Sequence, residues 1–179
     1  AKNALEAMPI EWDNPAEAQI SSSDLDARLH AALDQPLQVV REEGDVTATT
    51  AVDVQRITAD YDYPYLEHAP MEPMNATALF HPTPNHPGTI EVWAPTQYGE
   101  EALRIAAYAA GVALKDATCH VTLSGGGFGR RLHNDYVNQA VQVAKAYPGT
   151  PIKLIASREE CFRRSYYPPV MKARYDVTM

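Results

Sequence analysis

Residues 124–131 read Ser-Gly-Gly-Gly-Phe-Gly-Arg-Arg, and they separate a strand-like run, ATCHVTL, from a helix-like run, HNDYVNQAVQVAKAY. Four glycines in five positions, Gly125 to Gly129, cost chain entropy, so such a run exists where backbone must turn sharply or approach something closely. Two readings follow. One is an anion- or cofactor-binding loop, with loop amides and the start of the next helix pointing outward and two arginines beside them. The other is a tight strand-to-helix turn with two solvated arginines. A P-loop is excluded because no window supplies its lysine, and a dinucleotide fingerprint from Gly125 and Gly127 meets Arg130 at its third glycine position, with Glu159 or Glu160 as its acid. Ser124 is not a nucleophile elbow, since GxSxG is absent.

The rest of the second half reads cleanly around this loop. Tyr98 to Leu114 is alanine-rich, with Leu103, Ala106, Ala107, Ala110 and Leu114 on one helical face. The helix after the loop puts Tyr136, Val137, Ala140, Val141 and Ala144 inward and stops at Pro148 and Gly149. IKLIAS reads as a strand, REECFRRS as a helical turn with local ion pairs among Glu159, Glu160, Arg163 and Arg164, and MKARYDVTM as an alternating strand. Upstream, Ser21 to Leu33 makes a capped amphipathic helix on Leu25, Leu29, Ala32 and Leu33. LQVVREEGDV suggests a brief strand turning at Gly44, and VQRITADYDYPY alternates Val54, Arg56, Thr58 and Asp60 against Gln55, Ile57, Ala59 and Tyr61. Seven prolines between Pro64 and Pro95 restrict that stretch to short strands such as NATALFH and TIEVWA. Strands and helices interleave without strict alternation, which predicts an α+β, two-layer fold with a mixed sheet. Residues 1–50 form a linker and N-terminal helix region, and 51–179 the core.

Composition removes whole classes of function. A formal charge of −8 over 179 residues argues against neutralising phosphate backbones, so no nucleic acid partner is expected. No run approaches the roughly 18 apolar residues of a membrane span, and the first residues lack a secretory layout. Cys119 and Cys161 make no metal-ligand spacing and read as unpaired thiols. His68 and Glu72 are split by Pro70, which favours a bracing role for the glutamine loop described below over a metal site. His81 and His86 flank prolines in a solvated turn. Tyr61, Tyr63 and Tyr65 suit core or interface packing.

GGGFGRR, followed by DY, QAVQVAK, PIKLIASREE and a Tyr-Pro segment, resembles the molybdenum-binding subunit of the xanthine oxidase family of molybdenum hydroxylases. The branch it resembles is the beta subunit of isoquinoline 1-oxidoreductase, with related bacterial aldehyde and nicotinate dehydrogenases. YDYPYLEHAPMEPMNATA and IEVWAPTQ are similar to two further family segments in the same order, so the resemblance runs from about Glu11 to Met179.

The resemblance implies a molybdopterin cofactor, often in its cytosine dinucleotide form, held by backbone loops with no protein ligand to the metal. Gln97 is the matching glutamine, expected to donate its side-chain amide to an oxygen ligand of molybdenum. Gly126, Gly127, Phe128 and Gly129 are expected against the metal centre and pterin through their amides, a sensible match of fixed donors to an oxygen-rich anion. Where many members read GGGFGGKE, this sequence has Arg130, Arg131 and Leu132, a version similar to the isoquinoline-type branch. Arg130 is implied either as a partner of cofactor phosphate or as an anchor for Asp135. The implied reaction is hydroxylation of an aldehyde or N-heterocycle with water-derived oxygen. The family's glutamate base and a second glycine loop lie far downstream of the matching region, so the chain reads as the first cofactor-binding subdomain of a larger subunit, inactive alone, with no catalytic residue of its own. Iron-sulfur clusters are expected on a partner subunit, because two cysteines cannot hold a four-cysteine cluster. Both cytoplasm and periplasm stay open. Two rivals remain: a phosphate or dinucleotide-binding βαβ module of another oxidoreductase, and a non-catalytic interaction domain using the Pro-rich middle as its surface.

Overall fold

The computed structural model describes residues 7–9, 11, 13, 15, 19–45 and 55–179. Val54 and the boundary at residues 50 and 51 therefore lie outside the described residues. The chain divides into two compact units, Tyr65–Pro169 and the pair of segments Ala1–Pro64 and Val170–Met179.

In the first of these units, four strands stand in the order β4-β3-β2-β5, where β2 is Asn75–Thr83, β3 His86–Ala94, β4 Ala117–Val121 and β5 Ile152–Ile155. β2 is antiparallel to both β3 and β5, while β3 and β4 run parallel, so the sheet is mixed. Period-two burial explains its layering. Ala76, Ala78 and Phe80 of β2, with Ile90, Val92 and Ala94 of β3, point to one face and are buried there. Two helices cover that face, α2 (Gly99–Ala110) and α3 (Asp135–Ala146). Their contact residues are mostly alanine, which lets helix backbones approach the sheet closely: Ala102, Ala106 and Ala110 on α2, and Ala140 and Ala144 beside Val137 and Val141 on α3. A short helix, α4 (Arg158–Arg163), follows β5 and buries Cys161. Both cysteines are free thiols.

The second unit pairs β1 (Arg56–Tyr63) with β6 (Met171–Thr178) in an antiparallel ribbon. Helix α1 (Ser22–Leu33) belongs to this unit and opens with a capping box, Ser21 accepting from the Asp24 amide while Asp24 accepts from the Ser21 amide.

Three expectations are corrected. The α2 helix ends at Ala110, because Gly111 takes a left-handed φ of 74°, and Leu114 is exposed beyond it. Residues 37–43 form no strand: Leu37, Val39 and Val40 are exposed and find no ladder partner. The tyrosine stripe is not core, since Tyr61, Tyr63 and Tyr65 are each about half exposed, Tyr61 meeting Tyr175 edge-on.

Candidate functional site

Sheet topology assembles the site. Because β3 and β4 are parallel neighbours with Ala94 opposite Val121, the loops leaving their C-terminal ends emerge side by side, Pro95 to Tyr98 from one and Thr122 to Gly129 from the other. β2 runs antiparallel to β3, so the segment entering β2, Pro70 to Met74, arrives at the same end of the sheet. The exit of β5 joins it there, where the Ala156 amide donates to the Met74 carbonyl at 2.9 Å. Loops outside the carboxyl ends of parallel strands are where ligands bind in α/β sheets generally.

Gln97 lies in the first loop with its side-chain oxygen turned inward. Oε1 accepts from the amides of Gly129 at 3.1 Å and Arg131 at 3.2 Å. Two N–H donors can only meet the oxygen of the carboxamide, so the pairing fixes which end is which. Nε2 donates to nothing among the described residues and is left for a ligand. Gly127 makes this packing possible, because a Cβ there would stand 2.4 Å from Oε1.

The glycine loop itself is held from below and open above. The Gly125 amide donates to Glu72 Oε2 at 2.8 Å, and the amides of Arg130 and Leu132 close turns onto the carbonyls of Gly127 and Gly129. The amides of Gly126, Gly127 and Phe128 have no acceptor among the described residues. Positive φ values at Gly126 (94°), Phe128 (54°) and Gly129 (93°) curl this stretch into a concave run of backbone donors, the geometry of an anion-binding nest. Phe128 pays steric strain to adopt that φ, as residues at functional sites do. Phe128 itself is 72% exposed.

The arginines are not solvated, which removes the second reading of the loop in the form given above. Arg131 is fully buried, its Nε bonded to the Gly126 carbonyl at 2.7 Å, Nη1 to the Pro95 carbonyl at 3.2 Å, and Nη2 to the carbonyl and carboxylate of Glu72 at 2.8 and 3.0 Å. Of the two roles implied for Arg130, the anchoring one is present: its guanidinium clasps Asp135 through two bonds of 2.9 and 3.0 Å. Its plane also lies 5.2 Å from the Tyr166 ring, and its Nε has no partner among the described residues. Nor does the next helix lend its N-terminus. A 3-10 turn, Arg130–Leu132, intervenes, and α3 starts only at Asp135.

Glu72 braces the glycine loop directly and the glutamine loop through Arg131. Burial pushes its carboxyl up, but hydrogen bonds from Gly125 and Asn75 and the Arg131 charge outweigh that and hold it below the usual carboxylate range. His68 lies on the other side of the loop, with Nε2 3.9 Å from where a Gly129 Cβ would be, and no metal cluster occurs among the described residues. Sequence reasoning gave no site role to Thr96, Asn134 or Tyr136, although it read Tyr136 as an inward helix residue. Thr96 Oγ1 donates to Asn134 Oδ1 at 2.7 Å and accepts from the Tyr98 amide, and Tyr136 donates to the Pro95 carbonyl, so all three pin the glutamine loop. The only cue was polar residues beside an inward helix face.

The geometry defines a domain that offers preorganised backbone and amide donors to an anionic cofactor. A family model described as the molybdopterin cofactor-binding domain matches residues 30–179, and the chain belongs to that family. It is 30% identical over 142 residues to isoquinoline 1-oxidoreductase subunit beta of Brevundimonas diminuta, covering 77% of this chain and 18% of that protein. It is 28% identical over 162 residues to a protein of Gluconacetobacter polyoxogenes named membrane-bound aldehyde dehydrogenase (pyrroloquinoline-quinone), covering 89% and 20% respectively. The chain thus spans about a fifth of the length of these relatives. The crystal structure of quinoline 2-oxidoreductase from Pseudomonas putida 86 shares the fold, with a TM-score of 0.53, 22% identity, and coverage of 67% of this chain and 15% of that one. No helix among the described residues is long and apolar enough to cross a membrane.

The donor set fits the group that the family implies. Three unpaired amides and the Gln97 Nε2 N–H groups, without acceptors among the described residues, suit an oxygen-rich anionic group.

Proposed function

We propose that the chain is the first cofactor-binding subdomain of a larger subunit that hydroxylates an aldehyde or N-heterocycle with water-derived oxygen. The observation that carries this reading is the concave run of amides at Gly126, Gly127 and Phe128 beside the outward Nε2 of Gln97. When bound, the molybdopterin cofactor supplies the oxidation chemistry. Gln97 would offer Nε2 to an oxygen of the cofactor's metal centre, and its polarity needs no reorganisation because Gly129 and Arg131 already hold Oε1. The amides of Gly126, Gly127 and Phe128 would be the loop's donors to the cofactor, while Gly129, expected among them, has its amide committed to Gln97 and would contribute the turn. Arg130, clasped to Asp135 with its side chain buried, serves here as an anchor of the loop, and the cytosine dinucleotide form is taken from the family resemblance alone.

The carboxylate against the loop, Glu72, is committed to Gly125, Asn75 and Arg131 and is not free to take a proton from substrate or water. The base therefore comes from the remainder of the subunit, and the isolated 179-residue chain carries out no turnover. Electrons would leave to iron-sulfur clusters outside this chain, on a partner subunit as the family resemblance implies, since Cys119 and Cys161 are too few to hold one.

Extracting the natural full-length protein tests the reading. Molybdenum with a pterin, and a cytidine phosphate on hydrolysis, is the expected yield; a quinone, a nicotinamide nucleotide or an empty protein would sink it. Reconstituting the isolated chain with cofactor and assaying aldehyde and N-heterocycle oxidation tests the second claim, which any turnover contradicts.

A further inference from the structure

We propose that the pair of buried Arg131 and partly exposed Glu72 is the positioning device of the cofactor site, locking the glycine loop and the glutamine loop together and thereby fixing which end of the Gln97 amide faces the cofactor. The proposal rests on the cofactor reading above and adds residues that touch no cofactor themselves.

Arg131 is unusual in how its bonds are distributed. Its side chain reaches three separate segments: the Gly126 carbonyl in the glycine loop, the Pro95 carbonyl in the glutamine loop, and both the carbonyl and the carboxylate of Glu72 in the segment entering β2. Its main chain does the rest. The Arg131 amide donates to Gln97 Oε1, and its carbonyl accepts from the Gln97 amide at 3.1 Å. One residue therefore holds Gln97 by its backbone and the neighbouring Pro95 carbonyl by its side chain, while gripping the glycine loop that faces them. A buried guanidinium needs a counter-charge, and Glu72 supplies it while also taking the Gly125 amide and Asn75 Nδ2. The planar fork matters, because a lysine ammonium is a compact point with three donors and cannot span carbonyls on three segments. A Cβ at Gly125 would sit 2.6 Å from Glu72 Cβ, so the loop is pressed against the pair and has no slack to adjust on its own.

The pair acts on the cofactor only through Gln97 and the loop amides, so its test needs readouts that a purely structural brace would not move. The full-length enzyme with its partner subunit is prepared as Glu72→Gln and as Arg131→Lys, with Glu101→Gln, which breaks an exposed pair with Arg104 on α2, as control. Glu72→Gln keeps volume but offers one acceptor oxygen to three donors; Arg131→Lys keeps the charge and loses the span. Molybdenum and pterin per protomer, the rate of cofactor release on dilution, the Mo(V) electron paramagnetic resonance signal and the melting temperature are measured together. We expect release about 10- to 100-fold faster in Glu72→Gln, as for other residues that orient a metal site's contacts. A smaller increase is expected in Arg131→Lys, with an altered Mo(V) signal in the molecules that keep cofactor and no change in the control. Folded variants with wild-type release rates and Mo(V) signals would overturn the proposal, even if their melting temperatures fall. Should Glu72→Gln fail to fold, Arg131→Lys decides by the same two readouts. A wild-type enzyme carrying no molybdenum or pterin is a different failure, that of the cofactor reading itself.

Discussion

The two units of the chain reach order by opposite means. In the sheet-and-helix unit, apolar side chains stack from β2 and β3 onto α2 and α3, and Ile90, Val92, Val137 and Val141 are essentially inaccessible. In the β1–β6 ribbon no apolar side chain is buried, and charged pairs cross the backbone ladder: Arg174 with Asp60 at 2.8 Å, Lys172, its own side chain covered, with Asp62 at 2.7 Å, and Arg56 with Asp176. A dry core is insensitive to salt, whereas exposed ion pairs are screened and contribute little. The candidate site sits on the first kind of scaffold, which is where a rigid set of donors has to be.

The largest effect expected is therefore in that core. Ile90→Ala removes a side chain that is 1% exposed at the centre of the sheet, and should destabilise by about 2–5 kcal/mol in denaturant titrations. Ile57→Ala in the ribbon, where the side chain is about half exposed, should be near neutral. Equal costs at the two positions would mean that the ribbon has a hidden core and that the contrast is false.

Gly127→Ala separates scaffold from site within the same unit. The added Cβ meets Gln97 Oε1 at 2.4 Å, so the carboxamide must leave the amides of Gly129 and Arg131. The cooperative unfolding transition should survive with a modest loss, while cofactor content of the full-length enzyme collapses. Retention of full cofactor content would show that Gln97 does not have to hold this orientation.

How much of this was legible beforehand follows the range of the interactions. The inward residues of α3 were readable because helical periodicity is local, and Tyr136, Val137, Ala140, Val141 and Ala144 are the buried ones. The alternation of β1 and β6 was equally plain. The glycine run announced a loop, and the family resemblance pointed to Gln97. What no local pattern showed was that two adjacent arginines would be buried. Arg131 and Glu72 are 59 residues apart and meet only because three strand ends converge, and Gly111, a single residue, cut α2 shorter than its apolar period suggested.

Acid should loosen the site before it melts the core. Glu72 has its carboxyl held below the ordinary value of 4.5, so the folded state favours the carboxylate. Its contribution is complete above pH 4.5 and is lost as pH falls through the depressed folded value. Cofactor release from the full-length enzyme should accelerate below that point, and Glu72→Gln should flatten the dependence. An unchanged pH profile in that variant would assign the acid sensitivity to another group.

The smallest effect belongs to the ribbon. Its charged face, with Asp60 opposite Arg174 and Asp62 opposite Lys172, carries the ion pairs, two of them shared with Asp34 and Asp26 of α1. Its other face sets Ile57 opposite Val177, Ala59 opposite Tyr175 and Tyr63 opposite Met171, mostly exposed apolar pairs. Two strands without a covered apolar face are marginal in water. In about 1 M salt, where screening acts over about 3 Å, the ribbon amides of the isolated chain should exchange hydrogen somewhat faster than at low salt, while those of β2 and β3 hold their rates. In the full-length subunit the same ribbon amides should be slow in either salt if further chain packs on Ile57, Tyr63 and Val177. Ribbon amides that exchange as slowly as those of β2 in the isolated chain would remove the reason for that cover, since the ion pairs would then be sufficient by themselves.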